Sequence, residues 1–158
     1  PYTTLFRSTT LVLALLTDSY LLFGNIGDSS GFVIKDNVLH KITVDHSLVN
    51  LLVEAGEITE EEAKNHPRKN VLMKALGASE TVEADIFDCD INVSGILLAS
   101  DGLTNLLDAS KIENVINSSL EIEEKIVSLI RKANNEGGTD NISIAYLEKE
   151  ESGGYCDN

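Results

Sequence analysis

Apolar positions along this chain fall into short runs at the start and into helical spacing towards the end. Thr9 to Leu16 and Ser19 to Gly24 are two apolar runs around Thr17-Asp18, the pattern of a β-hairpin. Gly31 to Lys35 predicts a third strand, Asp36-Asn37 its turn, and Val38 to Thr43 a fourth. Strands this short, sequential and tightly joined are expected to pair antiparallel. Ser47 predicts a helix cap before Leu48, Val49, Leu51, Leu52 and Val53, with Gly56 as the stop. Thr59 with Glu62 three residues on is a capping box for a second short helix, and Pro67 ends it. Val71 to Leu76 is apolar and closed by Gly77, and Val82 to Val93 alternates in part, as a strand with one wet face does. Ile96 to Ala99 reads as a short buried strand broken by Ser100-Asp101-Gly102, with a helical turn over Leu103 to Leu107. Asp108 is placed to cap a helix carrying Ile112, Val115 and Ile116. Leu120 to Asn134 is the strongest helical pattern, with Ile122, Ile126, Leu129, Ile130 and Ala133 on one face and Gly137 past its end. Asn141 to Leu147 alternates as a last strand. There is no internal repeat.

Composition narrows the function classes. The 158 residues suit one domain with a real core, and a hydrophobic share of 42% with 2 prolines is that of a globular chain. A net charge of −14 argues against nucleic acid or an anionic membrane as the main partner, because phosphate affinity comes from Lys and Arg. The longest apolar run, Leu11 to Leu16, is too short to span a bilayer. Cys89 and Cys156 show no zinc spacing; reduced, cytoplasmic conditions are the expectation, and Cys89 is read as a core residue. Five Glu within residues 54–62 read as a solvated face.

Three Asp residues stand out because each adjoins both an apolar run and a glycine: Asp28 in Ile26-Gly27-Asp28-Ser29, Asp101 in Ser100-Asp101-Gly102, and Asp140 in Gly137-Gly138-Thr139-Asp140-Asn141. A carboxylate held at a strand end suits Mg²⁺ or Mn²⁺, which take oxygen donors in near-fixed geometry. Three carboxylates in one cleft repel one another unless a cation lies between them. Spacing alone leaves open whether they converge, and Asp residues capping turns in a purely structural acidic domain fit the same pattern.

The ordered motifs resemble the protein phosphatase 2C (PPM) family, bacterial type. They are Thr9-Thr10, Gly27-Asp28-Ser29, Asp45-His46-Ser47-Leu48-Val49, Asn70-Val71-Leu72 through Ala75-Leu76-Gly77, Leu98-Ala99-Ser100-Asp101-Gly102-Leu103, and Gly137-Gly138-Thr139-Asp140-Asn141-Ile142. The resemblance runs from Thr9 to about Leu147. It implies an α+β fold, part of a four-layer α-β-β-α sandwich with mainly antiparallel sheets. The implied activity is hydrolysis of phosphoserine and phosphothreonine in proteins by a metal-activated water, with two to three Mg or Mn ions. Asp101 and Asp140 would be ligands of the metal pair, and Asp28 with Asp101 would hold a third metal. Gly102 and Asn141 would support the site, Asn141 by bracing the Asp140 turn. Residues of about 47–74 would form the flap over the cleft, and His46 reads as a hydrogen-bonded scaffold residue. Phosphorylated proteins are the implied substrates, with an opposing serine/threonine kinase.

Departures from the family pattern shape the remaining expectations. The Asp-Gly-x-Gly-Gly motif, an acidic ligand and a phosphate-gripping Arg belong to the family's N-terminal part, and no Asp-Gly-x-Gly-Gly occurs in the 158 residues. Ser30 and Lys74 stand where the family usually has Arg, and Ser8 where it tends to have Gly. Pro1 to Ser8 reads like a translated cloning adapter. The expected organisation is therefore an adapter-like segment over residues 1–8, the C-terminal part of one phosphatase domain over 9–147, and a flexible tail over 148–158. The chain alone is expected to be inactive. A non-catalytic divalent-cation-binding or interaction domain is the alternative.

Overall fold

The structure is a computed structural model that describes residues 8–149. The expected adapter-like segment, apart from Ser8, and the expected tail beyond Lys149 lie outside the described residues, as does Cys156.

The opening hairpin forms as its pattern predicts. Strand β1 (Leu11–Leu16) pairs antiparallel with β2 (Leu21–Ile26), and Thr17 Oγ1 accepts the Ser19 and Tyr20 amides at 3.2 and 3.1 Å to close the turn. Strand β3 (Ser30–Lys35) passes into β4 (Val38–Lys41) through Asp36 and Asn37, both at positive φ, the backbone a two-residue hairpin turn needs. Strand β4 stops before Thr43 because that side chain turns inward, where its Oγ1 accepts the Gly31 amide at 2.9 Å.

Ser47 caps α1 (Leu48–Glu54) by accepting the Asn50 amide, and Thr59 with Glu62 closes the capping box of α2 (Glu60–Lys64). Neither helix buries a residue, and the Glu-rich stretch is exposed. The apolar run over 71–76 forms two isolated bridges, Ser47 to Leu72 and Thr9 to Leu76, instead of a strand. The alternating stretch over 82–93 yields only β5 (Asp85–Cys89), because Asp90 accepts both the Asn92 amide and its side-chain nitrogen and bends the chain away.

Strand β6 (Gly95–Ala99) leads through Ser100 into α3 (Asp101–Thr104), so Asp101 opens a helix and does not end a strand. Asp108 caps α4 (Ala109–Ile116), α5 (Ile122–Asn135) starts two residues later than its pattern predicts, and β7 (Ile144–Glu148) ends the described chain.

The strands form two antiparallel sheets, β1-β2-β5 and β4-β3-β6-β7. Phe32, Ile34, Leu97 and Ala99 point from one face of the larger sheet into a core with Leu103, Leu107, Ile112, Val115, Ile116, Leu129 and Ala133 from α3 to α5. Val33 and Ile96 point from its other face onto Leu21 and Phe23 of the smaller sheet, with Cys89 packed against that cluster. The described residues thus give an α+β stack of helices, sheet and sheet. The chain crosses from one sheet to the other at Gly27-Asp28-Ser29, between β2 and β3.

Candidate functional site

The crossing turn, the start of α3 and the loop before β7 meet at one end of this stack. Gly27 adopts φ +107°, and a Cβ there would lie 2.3 Å from Thr10 Cγ2, so only glycine allows the turn this close to β1. Ser29 Oγ shares a hydrogen bond with Thr10 Oγ1 at 2.8 Å. At α3 a Cβ on Gly102 would lie 2.3 Å from the Asn141 carbonyl oxygen; its absence lets the Asp140-Asn141 loop rest against the helix start. Ser100 Oγ ties the same two segments, donating to the Asn141 carbonyl at 3.2 Å and accepting the Ser143 amide at 3.0 Å.

Asp28 and Asp101 line one cleft of about 530 Å³, together with Asp45 and with Lys64, Lys69 and Asn70 from α2 and the segment after it. Burial, and then the Asp101 carboxylate, push the Asp28 carboxyl up from its ordinary value to about 6. Asp101 is also raised, first by burial and then by the neighbouring Asp140. Asp140 is not among the residues that line the cleft. Among the described residues no three His, Cys, Asp or Glu side chains lie close enough together to hold one metal ion. Asn105 Nδ2 donates to Asp101 Oδ2 at 3.1 Å. Asn141 braces the Asp140 turn through its backbone, its amide donating to Asp140 Oδ1 at 2.7 Å.

Asp45 is the cleft residue that the expected ligand set omits. It receives Lys41 Nζ on both carboxylate oxygens at 2.7 Å. Ser47 of the same Asp45-His46-Ser47 motif also lines the cleft, while His46 does not, a division that the motif alone does not reveal. Lys74 points elsewhere, donating to Asp85 Oδ1 at 2.7 Å. His46 is a hydrogen-bonded scaffold residue, as its setting in the sequence suggests: Nδ1 accepts the Gly27 amide at 3.0 Å, and Nε2 lies 3.0 Å from Asp85 Oδ2.

The charged oxygen donors of the cleft are carboxylates, among them Asp28, Asp45 and Asp101, the chemistry that Mg²⁺ and Mn²⁺ favour. Two carboxyls that line one cleft and are both pushed towards their protonated form fit a divalent cation as a neutraliser. A cation held by two of these carboxylates would take its remaining oxygens from water or from outside these residues.

The sequence matches the family described as Protein phosphatase 2C over residues 6–136. It is 43% identical over 143 residues to the serine/threonine phosphatase stp of Listeria monocytogenes serovar 1/2a, covering 90% of this chain and 57% of that relative. The crystal structure of serine/threonine phosphatase Stp1 from Staphylococcus aureus superimposes with a TM-score of 0.86 at 35% identity, over 90% of this chain and 57% of that one. The catalytic domain of serine threonine protein phosphatase PstP in complex with 2 manganese ions superimposes with a TM-score of 0.78 at 32% identity, over 89% of this chain and 58% of that one. The chain thus spans little more than half the length of these relatives.

Proposed function

The chain belongs to the protein phosphatase 2C family, and we propose that it carries the Asp28, Asp101 and Asp140 arm of a metal-dependent serine/threonine phosphatase site. The observation that supports this most is that Asp28 and Asp101 line one cleft, where burial and a neighbouring carboxylate, Asp101 for the one and Asp140 for the other, raise both carboxyls. A bound Mg²⁺ or Mn²⁺ would make water a better nucleophile and offset the charge of a phosphoryl group. The chain's own contributions are to hold and orient. Asp101, fixed by Asn105 at the start of α3, would be shared between ions, with Asp140 on one side and Asp28 on the other. Lys64 and Lys69 add positive charge on the flap side of the same cleft, suited to a phosphorylated protein segment.

The substrates on this reading are phosphoserine and phosphothreonine in proteins, set there by an opposing serine/threonine kinase in the cytoplasm. No helix among the described residues is long and apolar enough to cross a membrane. The phosphatase part on this proposal spans 9–147, with a flap over about 47–74. Because the 158 residues contain no Asp-Gly-x-Gly-Gly, the chain alone is expected not to turn over. The test fuses it to the N-terminal portion of the Listeria relative and assays a phosphothreonine peptide with millimolar Mn²⁺. Turnover by the fusion, abolished in Asp101→Ala and absent from the chain alone, is the expected result. A fusion that folds, binds Mn²⁺ and hydrolyses nothing would favour the non-catalytic cation-binding alternative.

A further inference from the structure

We propose that His46 is a positioning residue that clamps the Gly27-Asp28 turn and thereby orients the Asp28 carboxylate towards a cation, an extension that rests on the cation-ligand reading of Asp28. Gly27 has no side chain to anchor it, and its backbone sits at φ +107°. Both of its polar backbone groups are taken by one residue: its amide donates to His46 Nδ1 at 3.0 Å, and its carbonyl accepts the His46 amide at 2.9 Å. Asn25, fully buried beneath the turn, adds a third bond from Nδ2 to the same carbonyl at 3.2 Å.

The ring is held in turn. An Nδ1 that accepts requires the proton on Nε2, which then donates to Asp85 Oδ2 at 3.0 Å, and Lys74 steadies Asp85 at 2.7 Å. Both ring nitrogens are therefore committed, so His46 has none free to move a proton. Asp85 opens β5 in the smaller sheet, while His46 follows β4 of the larger one. The relay Lys74–Asp85–His46–Gly27 thus braces the crossing between sheets and ends one residue short of Asp28. Partners that orient a ligand without touching the metal typically alter metal affinity 10–100-fold when removed.

The experiment uses the 158-residue chain, Mn²⁺ as the probe, and two readouts: calorimetric Mn²⁺ affinity, and hydrogen exchange of the Gly27 amide with NMR of the imidazole nitrogens. His46→Asn places an oxygen near the position of Nδ1, whereas His46→Phe removes the acceptor. The expected result is an Nε2–H ring in the wild type. In His46→Phe, Gly27 protection is lost and Mn²⁺ binding weakens at least about 10-fold; His46→Asn restores most of both. Asp85→Ala, at a half-open side chain, frees the ring without touching the core and should weaken Mn²⁺ in the same direction if His46→Phe fails to fold. Unchanged Mn²⁺ affinity in a variant that has lost Gly27 protection overturns the proposal, as does an Nδ1–H ring in the wild type. No Mn²⁺ uptake by the wild type, with Gly27 protection still lost in His46→Phe, overturns instead the cation reading on which the extension rests.

Discussion

The larger sheet is covered on both faces, by α3 to α5 on one and by the smaller sheet on the other; the smaller sheet is covered on one face only among the described residues. Register makes the contrast concrete. Phe32, Leu97 and Tyr146 lie abreast under the helices, with Leu97 fully buried. Leu13, Gly24 and Ile86 lie abreast on the outer face of β1, β2 and β5, with Leu13 41% and Ile86 64% exposed. Similar apolar strands therefore contribute very differently to stability, because burial depends on what packs on the strand and not on the strand itself. The Asp28 turn lies where the two regions join, so the carboxylate is carried by one well-packed sheet and one half-covered sheet.

The largest expected effect lies under the helices. Leu97→Ala should destabilise by roughly 3–4 kcal/mol in urea unfolding, since a fully buried leucine leaves both transfer loss and a cavity. A loss near that of a surface site would mean that the helices do not close over the sheet in solution.

An intermediate effect of opposite sign is expected at the crossing. The Asp28 carboxyl is raised from 3.8 to about 6 in the folded chain. Folding therefore favours its protonated form, and the charged form costs stability above about pH 6; that cost disappears as pH falls below about 4. In chelator at pH 8, Asp28→Asn should raise stability by about 1 kcal/mol, after discounting for a half-open carboxyl. Its advantage should shrink as pH is lowered through 6. Excess Mn²⁺ should reverse the order by binding the folded wild type. An Asn variant less stable than wild type in chelator at pH 8 would show that the carboxylate is already neutralised within the chain.

The smallest effect belongs to the outer face. Leu13→Thr combined with Ile86→Thr keeps strand preference and should change stability by no more than about 0.5 kcal/mol. Light scattering should at the same time show less self-association, because an apolar face beside a β1 edge that is unpaired among the described residues is sticky. A loss of 2 kcal/mol or more would show that this face is covered in solution.

Much of this was legible along the chain because the signals are local. Two apolar runs around Thr17-Asp18 predict the opening hairpin, and Ser47, Thr59 with Glu62, and Asp108 cap the helices their spacing predicts. Asp36-Asn37 makes its turn, since a two-residue hairpin needs left-handed backbone and these residues tolerate it. Where partners far along the chain decide, the reading stopped short. The apolar stretch of 71–76 meets only single residues of 9 and 47 and forms bridges, and β5 ends where Asp90 folds onto Asn92. Local pattern marks which carboxylates lie beside a glycine at the edge of an apolar run, because backbone preference and periodicity are properties of neighbours. That Asp28 and Asp101 share a cleft, that Asp45 joins it and that His46 grips Gly27 are facts of the packed fold alone. Those relations depend on close approaches that packing creates, such as the Asn141 carbonyl against Gly102, and no spacing along the chain encodes them.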